Sequence, residues 1–342
     1  MNRTKSLVLA AMLGAVVPAA AQVTLNGAGA TFPNIIYQNW MLSYNQTHPD
    51  VKLNYQSIGS GGGIRQFSDG TVDFGGTDAP MSDSAIAAIN GNVLHIPTVL
   101  GAVVVAYNLP DVTQPVKLTP DVIADIFLGK VTKWNDARIA SVNAGVTLPN
   151  QDIIVVHRSD GSGTSFVFTD YLSKVSPEWA QKVGKGASLN WPVGLGGRGN
   201  EGVSATVRQT PGAIGYTELG YAMINKMPFA TVQNQAGKWI APSLESVTAA
   251  AAGAMKEMGA NTDFRVSITN SAGAQAYPIA SFTWLLVHKT YKDPAKARAL
   301  VEFIWWAETD GQAKASELGY APLPKEIRTW IQARLKGVTL SQ

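Results

Sequence analysis

The stretch Val155-Val156-His157-Arg158-Ser159-Asp160-Gly161-Ser162-Gly163-Thr164-Ser165 decides how this chain is read. An apolar run, Ile153 to Val156, leads through His157 to an arginine, and a turn of glycines and hydroxyls follows. Phe166-Val167-Phe168 then opens a helical pattern. A strand–turn–helix of this kind aims several backbone N–H groups, with the positive end of the helix dipole, at one point. Glycine lets the backbone approach closely, while Ser162, Thr164 and Ser165 offer hydroxyl donors. Arg158 supplies a planar fork for two oxygens at once. The pattern predicts a site for a tetrahedral oxyanion, although the same residues also suit an ordinary helix cap in a solvated loop.

Two further loops repeat the arrangement. Val23-Thr24-Leu25 reads as a strand leading into Asn26-Gly27-Ala28-Gly29-Ala30-Thr31-Phe32-Pro33. There Pro33 suits a first helical turn, and Ile36, Trp40 and Tyr44 continue it at a spacing of four. Val51, Leu53 and Tyr55 alternate as a strand before Ser57-Ile58-Gly59-Ser60-Gly61-Gly62-Gly63 and a helix from Ile64. Helix starts in α/β folds are often glycine-rich without binding anything. Three hydroxyl-bearing loops, each after a strand, nevertheless fit an open α/β sheet whose ligand sits beyond the carboxyl ends of the strands.

Asp78 closes the run Val72-Asp73-Phe74-Gly75-Gly76-Thr77-Asp78-Ala79-Pro80. A carboxylate beside an anion is repelled in a low-dielectric pocket unless the ligand carries a proton for it to accept. Phosphate near neutral pH does so and sulfate does not. Spacing alone equally allows Asp78 to cap the next helix. Val99 to Tyr107 predicts a strand buried on both faces, with a domain crossing near its start. Thr119 is placed as the cap of a helix beginning at Pro120, and Ala280 to Val287 as a second crossing strand. Residues 229–276 read as peripheral. Ala297, Leu300, Val301, Ile304 and Trp305 are expected to form the buried face of a helix started by Asp293-Pro294.

Other chemistries find less support. Gly194, Gly196 and Gly199 match G-x-G-x-x-G, but Trp191-Pro192 interrupts the strand that a dinucleotide fold needs before it. No Gly-Lys pair is followed by Ser or Thr, as a P-loop requires. The histidines at 48, 95, 157 and 288 make no metal spacing. His157, Asp160 and Ser162 suggest a hydrolase triad, yet neighbours on a strand point to opposite faces, so His157 turns away if Arg158 faces the site.

The 342 residues, 46% hydrophobic and 15% charged, suffice for two α/β domains. Residues 1–21 read as an export signal: Arg3 and Lys5, a short apolar core from Leu7 to Val17, and small residues at Ala19-Ala20-Ala21. Removing its two cations takes the net charge from +3 to +1, leaving no basic stripe for nucleic acid. Cysteine is absent, which excludes disulfides, thiolate metal sites, a cysteine nucleophile and a lipid-modified cysteine. A soluble periplasmic protein without cofactors is expected.

In these loops the chain resembles the periplasmic phosphate-binding proteins of the phosphate-specific ABC importer, the PstS family. The match runs through Gly27–Pro33, Ile58–Ser60, Val72–Pro80, Asp160–Phe168, Trp191–Gly197, Pro211–Tyr216 and Gly319–Pro324, essentially the whole mature chain. The resemblance implies a two-domain periplasmic-binding-protein fold (type II-like), with two hinge crossings and the ligand in the interdomain cleft. Domain I would comprise 22–100 plus 280–342, and domain II 101–279. It implies phosphate contacts from Thr31, Phe32, Ser60, Asp78, Arg158, Ser162, Gly163 and Thr164, with Asp160 holding the guanidinium of Arg158. Gly61 departs from the family, where a second serine is common. The expected partners are inorganic phosphate and the permease subunits of the importer, with the protein a monomer. Two other readings use the same residues: a phosphoester hydrolase with Ser162 or Thr164 as nucleophile, and a phosphate scavenger or sensor without a permease.

Overall fold

The computed structural model describes residues 22–259 and 261–340; the export signal expected at 1–21 lies outside them. Eight strands make one mixed sheet: β1 (Val23–Gly29), β2 (Val51–Ser57), β3 (Phe74–Thr77), β4 (Leu94–Tyr107), β5 (Ile154–Arg158), β6 (Leu195–Gly197), β7 (Ala213–Glu218) and β8 (Ala280–Val287). Their order is β2-β1-β3-β8-β4-β7-β5-β6. The helices that matter to the site are α1 (Asn34–Thr47), α2 (Ser60–Ser68), α3 (Asp83–Ala88), α4 (Pro120–Phe127), α5 (Gly163–Val175), α6 (Gly199–Gln209), α7 (Leu219–Ile224) and α8 (Pro294–Glu308).

Strand β4 organises the sheet. All its residues are buried, as expected for a strand covered on both faces. It begins at Leu94, earlier than the apolar run at Val99 suggests, because His95 is satisfied inside: its Nε2 accepts the Met81 N–H at 3.2 Å. From Leu94 to Ala102 it pairs antiparallel with β8, and from Val103 to Tyr107 antiparallel with β7. Strands β1, β2 and β3 are mutually parallel, as are β5, β6 and β7. Glu218 at the end of β7 pairs with Val103, and Ala280 at the start of β8 with Ala102. The carboxyl ends of both parallel sets therefore face the same level of β4.

A register shift between Thr283 and Trp284 skips Thr98 of β4, a bulge of the kind that re-aims side chains. Thr98 Oγ1 then meets Tyr37 Oη at 2.9 Å, and the neighbouring Thr283 turns its hydroxyl inward.

Three local expectations need correction. The buried residues of α8 are Ala297, Ala299, Leu300, Phe303, Ile304, Ala307 and Glu308; Val301 and Trp305 are half-buried at the edge of that stripe. Segment 229–276 is not peripheral, since Val232, Val247, Ala250, Ala251 and Phe264 join the core and the Phe264 carbonyl accepts from Trp284 Nε1 at 3.0 Å. Thr119 occupies the N-cap position of α4 but makes no side-chain cap bond.

Candidate functional site: a buried anion cradle

Helices α1, α2 and α5 start directly after β1, β2 and β5, so their amino ends meet at the level of β4 just described. None of the three has an acidic residue in its own first turn, so no helix neutralises its own positive end. Among the described residues, no backbone acceptor outside the helices takes the N–H groups of Phe32, Gly163 or Thr164. Thr31, Phe32, Ser60, Asp78, Arg158, Ser162 and Thr164 are all buried, and all come together here.

The first loop feeds α1 through Pro33, with Thr31 and Phe32 just ahead of it. In the second, Gly59 takes φ +87°, a left-handed backbone that suits glycine. A side chain there would also run into Asp160 and come within 2.6 Å of the Gly161 carbonyl. This turn sets Ser60 at the first position of α2, where its Oγ accepts the Asp78 N–H at 3.1 Å. In the third, Ser162 is the N-cap of α5 and accepts the Ser165 N–H at 3.0 Å, which leaves its hydroxyl proton to donate elsewhere. Ser165 itself is not part of the cradle: its hydroxyl lies 2.6 Å from Tyr216 Oη, pointing into the core.

Asp78 does not cap the following helix; Ser82 does, accepting the Ala85 N–H. Asp78 Oδ1 instead accepts from Thr283 Oγ1 at 2.8 Å, and Oδ2 lies 3.5 Å from Ser60 Oγ. Complete burial pushes its carboxyl up to about 7, against the opposing pull of Thr283, Arg158 and Ser60. In its ionised form a carboxyl so placed accepts from a protonated neighbour and repels a second bare anion.

Arg158 is held by Asp160 in a two-pronged pair, Nε to Oδ1 at 2.8 Å and Nη2 to Oδ2 at 2.6 Å. The remaining nitrogen, Nη1, donates to Thr164 Oγ1 at 3.2 Å. Asp160 also accepts the Gly199 N–H at 3.0 Å. Its carboxyl sits below the usual range because Arg158 and the backbone N–H groups outweigh its burial. His157 turns the other way, as strand alternation requires: its ring stacks on Trp191 with centroids 5.0 Å apart. No imidazole therefore stands against Ser162, and the triad suggested by proximity in sequence does not form.

The two sides of the cradle touch. Gly61 N–H donates to the Gly161 carbonyl at 2.9 Å, and Asn200 Nδ2 donates to Thr31 Oγ1 at 2.8 Å. Asn200, Thr283 and Tyr216 are polar groups of this neighbourhood that the sequence reading did not single out. Asn200 left a signal as a polar residue straight after Gly196-Gly197-Arg198-Gly199 at a helix start, and Tyr216 as the end of the matched run Pro211–Tyr216. Those glycines belong to edge strand β6 and the first turn of α6. Among the described residues no cluster suits a metal ion, and no helix is long and apolar enough to cross a membrane.

Comparison with known proteins agrees with this architecture. The model of the PBP superfamily domain matches residues 15–310. The phosphate-binding protein PstS of Xylella fastidiosa strain 9a5c is 46% identical over 312 residues, covering 91% of this chain and 84% of that protein. PstS of Pasteurella multocida is 45% identical over 335 residues, covering 97% and 96%. Among solved structures, a high-affinity periplasmic phosphate-binding protein (PfluDING) bound with phosphate superposes with a TM-score of 0.71 at 22% identity, covering 91% of this chain and 93% of that one. The phosphate-binding protein from Stenotrophomonas maltophilia gives 0.71 at 20% identity, covering 91% and 94%. The fold is thus the two-domain α/β periplasmic-binding-protein fold, and the chain belongs to the PBP superfamily and, within it, to the PstS family of phosphate-binding proteins.

Proposed function

We propose that this chain binds inorganic phosphate outside the cytoplasm and delivers it to the permease subunits of an ABC importer. One observation carries the reading: a buried cradle of hydroxyls, helix amino ends and one arginine has a single carboxyl, that of Asp78, completely buried between Ser60 and Thr283. A tetrahedral anion that keeps one proton satisfies both halves of that set. A fully deprotonated anion leaves Asp78 unpaired and repelling, so sulfate is excluded by the same group that accepts the proton of phosphate.

In this reading Thr31, Phe32 through its N–H, Ser60, Ser162, Gly163 through its N–H and Thr164 donate to the phosphate oxygens. Arg158, aligned by Asp160, supplies the one formal positive charge. The lobes are 22–100 plus 280–342 and 101–279, and the contacts between Gly61 and Gly161 and between Thr31 and Asn200 represent the closed state. Closure excludes water and offers one composite surface to the permease. The protein acts as an exported monomer after removal of residues 1–21, needs no cofactor and carries out no reaction. The orientation of His157 onto Trp191 supports that last point against a phosphoester hydrolase.

The test is calorimetric titration of the protein from Gln22 onward, refolded to strip carried-over ligand, with phosphate and then sulfate. Tight one-to-one phosphate binding with no sulfate heat is expected. Equal binding of both anions would remove the role given to Asp78, and no binding of either would overturn the function. Turnover of a chromogenic phosphoester that disappears in Ser162→Ala would establish the enzyme instead. Failure to restore import in a strain lacking its own binding protein, despite tight binding, would point to a scavenger or sensor.

A further inference from the structure

Asn200 is fully buried at the start of α6 and touches both sides of the cradle. Its backbone N–H and its Nδ2 both reach Thr31 Oγ1, at 3.2 and 2.8 Å. Nδ2 also reaches Thr164 Oγ1 at 3.2 Å, where Arg158 Nη1 donates as well, at 3.2 Å. A threonine hydroxyl has two acceptor lone pairs and one proton. Thr31 thus has both lone pairs taken by Asn200, and Thr164 has its two taken by Asn200 and Arg158. Each retains only its proton to offer. Asn200 is itself held against turning over, because its Oδ1 accepts from Thr217 Oγ1 at 3.2 Å and from the Glu218 N–H at 3.1 Å. The amide cannot exchange its oxygen and nitrogen without setting the Glu218 N–H, which can only donate, against its NH2 group.

We propose that Asn200 is a positioning residue that fixes the direction of two hydroxyl protons in the anion cradle, making Thr31 and Thr164 obligate donors. The inference rests on the phosphate-binding reading and adds to it how the ligand's proton is placed. With the hydroxyls on the Asn200 side unable to accept, the protonated oxygen of the ligand is directed to Asp78. Because Thr31 lies across the cradle from Asn200 and Thr164, the bonds that orient Thr31 form only as the cradle closes, whereas the bond to Thr164 lies within one side.

The experiment compares phosphate titrations of the unmodified protein, Asn200→Ala, Thr31→Val, Thr164→Val and the two double variants, alongside melting of each ligand-free protein. Asn200→Ala is expected to weaken phosphate about 10–30-fold, the worth of one or two oriented hydrogen bonds. Its effect should shrink when either hydroxyl is already absent, since the residue acts through them. Asn200→Asp is the second variant: it keeps an acceptor for the Glu218 N–H but turns the donor into an acceptor, and should lose at least as much affinity. Unchanged phosphate affinity in either variant, or additive losses in the cycles, would overturn the proposal. An affinity loss matched by an equal loss of ligand-free stability would show Asn200 to be a packing residue only. If the unmodified protein itself takes up no phosphate, the functional reading falls and this inference with it. If that protein binds and Asn200→Ala binds equally well, the role of Asn200 alone falls.

Discussion

Gly163 stands so close to Asp78 that a methyl group on it would lie 2.7 Å from Asp78 Cβ and would collide with the Asp78 carboxylate and Ser60 Oγ. The two residues come from loops far apart in sequence, and in the proposed lobe closure this contact would limit how closely those loops approach. It also explains why glycine stands between two hydroxyl residues: the close approach that exposes a helix N–H to an anion leaves no room for a side chain.

Gly163→Ala is therefore expected to bind phosphate at least about 100-fold more weakly, because closure would require a buried overlap to be relieved. The ligand-free protein, free to stay open, should keep its melting temperature. Titration and melting, each with and without phosphate, check both halves. A variant that binds normally would show that closure does not bring these residues together.

Replacing Asp78 by asparagine removes a charge and keeps an acceptor. Thr283 still has an oxygen to donate to, so the fold should persist. The expected result is a change in selectivity more than in fold, with sulfate gaining at least about 10-fold relative to phosphate as the repelling carboxylate disappears. Competition between the two anions on the variant measures it, and an unchanged ratio would argue that sulfate is excluded by some other group.

Asp160 directs Arg158 by a two-pronged pair and also accepts the Gly199 N–H. Asp160→Ala should weaken phosphate by about 10-fold or more, since it leaves a buried guanidinium half-satisfied and free to swing. Arg158→Lys should be worse, because an ammonium cannot reproduce the fork that serves Asp160 and Thr164 together. The order of the two affinities, obtained by titration, is the result that matters.

Glu218 offers a pH test. It is fully buried at the end of β7, accepts the Gly220 N–H at 2.9 Å, and leaves Oε1 without a partner. Burial pushes its carboxyl up to about 8, against the pull of the Gly220 N–H and of Tyr320. A carboxyl raised in the folded state adds stability that is fully present below its ordinary value and is lost as pH rises through the raised one. The protein should thus lose stability from Glu218 between about pH 4.5 and 8. Glu218→Gln removes that contribution, so its advantage over the unmodified protein should grow with pH. A difference in stability of at least about 1 kcal/mol at the alkaline end, the worth of one pKa unit, is expected. Melting curves across that range decide it, and a difference that stays flat would mean Glu218 titrates normally.

Much of the architecture could be read from short-range pattern. The strand–turn–helix repeats at Thr31, Ser60 and Arg158 announced themselves because glycine, hydroxyl and helix-start signals are local, and the alternation that sends His157 away from Arg158 is a property of any strand. The early start of β4 was hidden because His95 looks polar until Met81, distant in sequence, satisfies it. The core role of 229–276 was hidden because its alanines become apolar contacts only once other elements cover them.

What the amino-acid order alone determined is the three glycine- and hydroxyl-bearing loops, the arginine of the third and the acid that follows Thr77, since each follows from the conformational preferences of a few adjacent residues. What only the tertiary structure decided is how those groups are polarised. Thr283 reaches Asp78 through a bulge opposite Thr98, and Asn200 reaches Thr164 and, in the facing loop, Thr31. Hydrogen-bond direction depends on which partners arrive from elsewhere in the chain, and no local pattern encodes an encounter between residues 31 and 200.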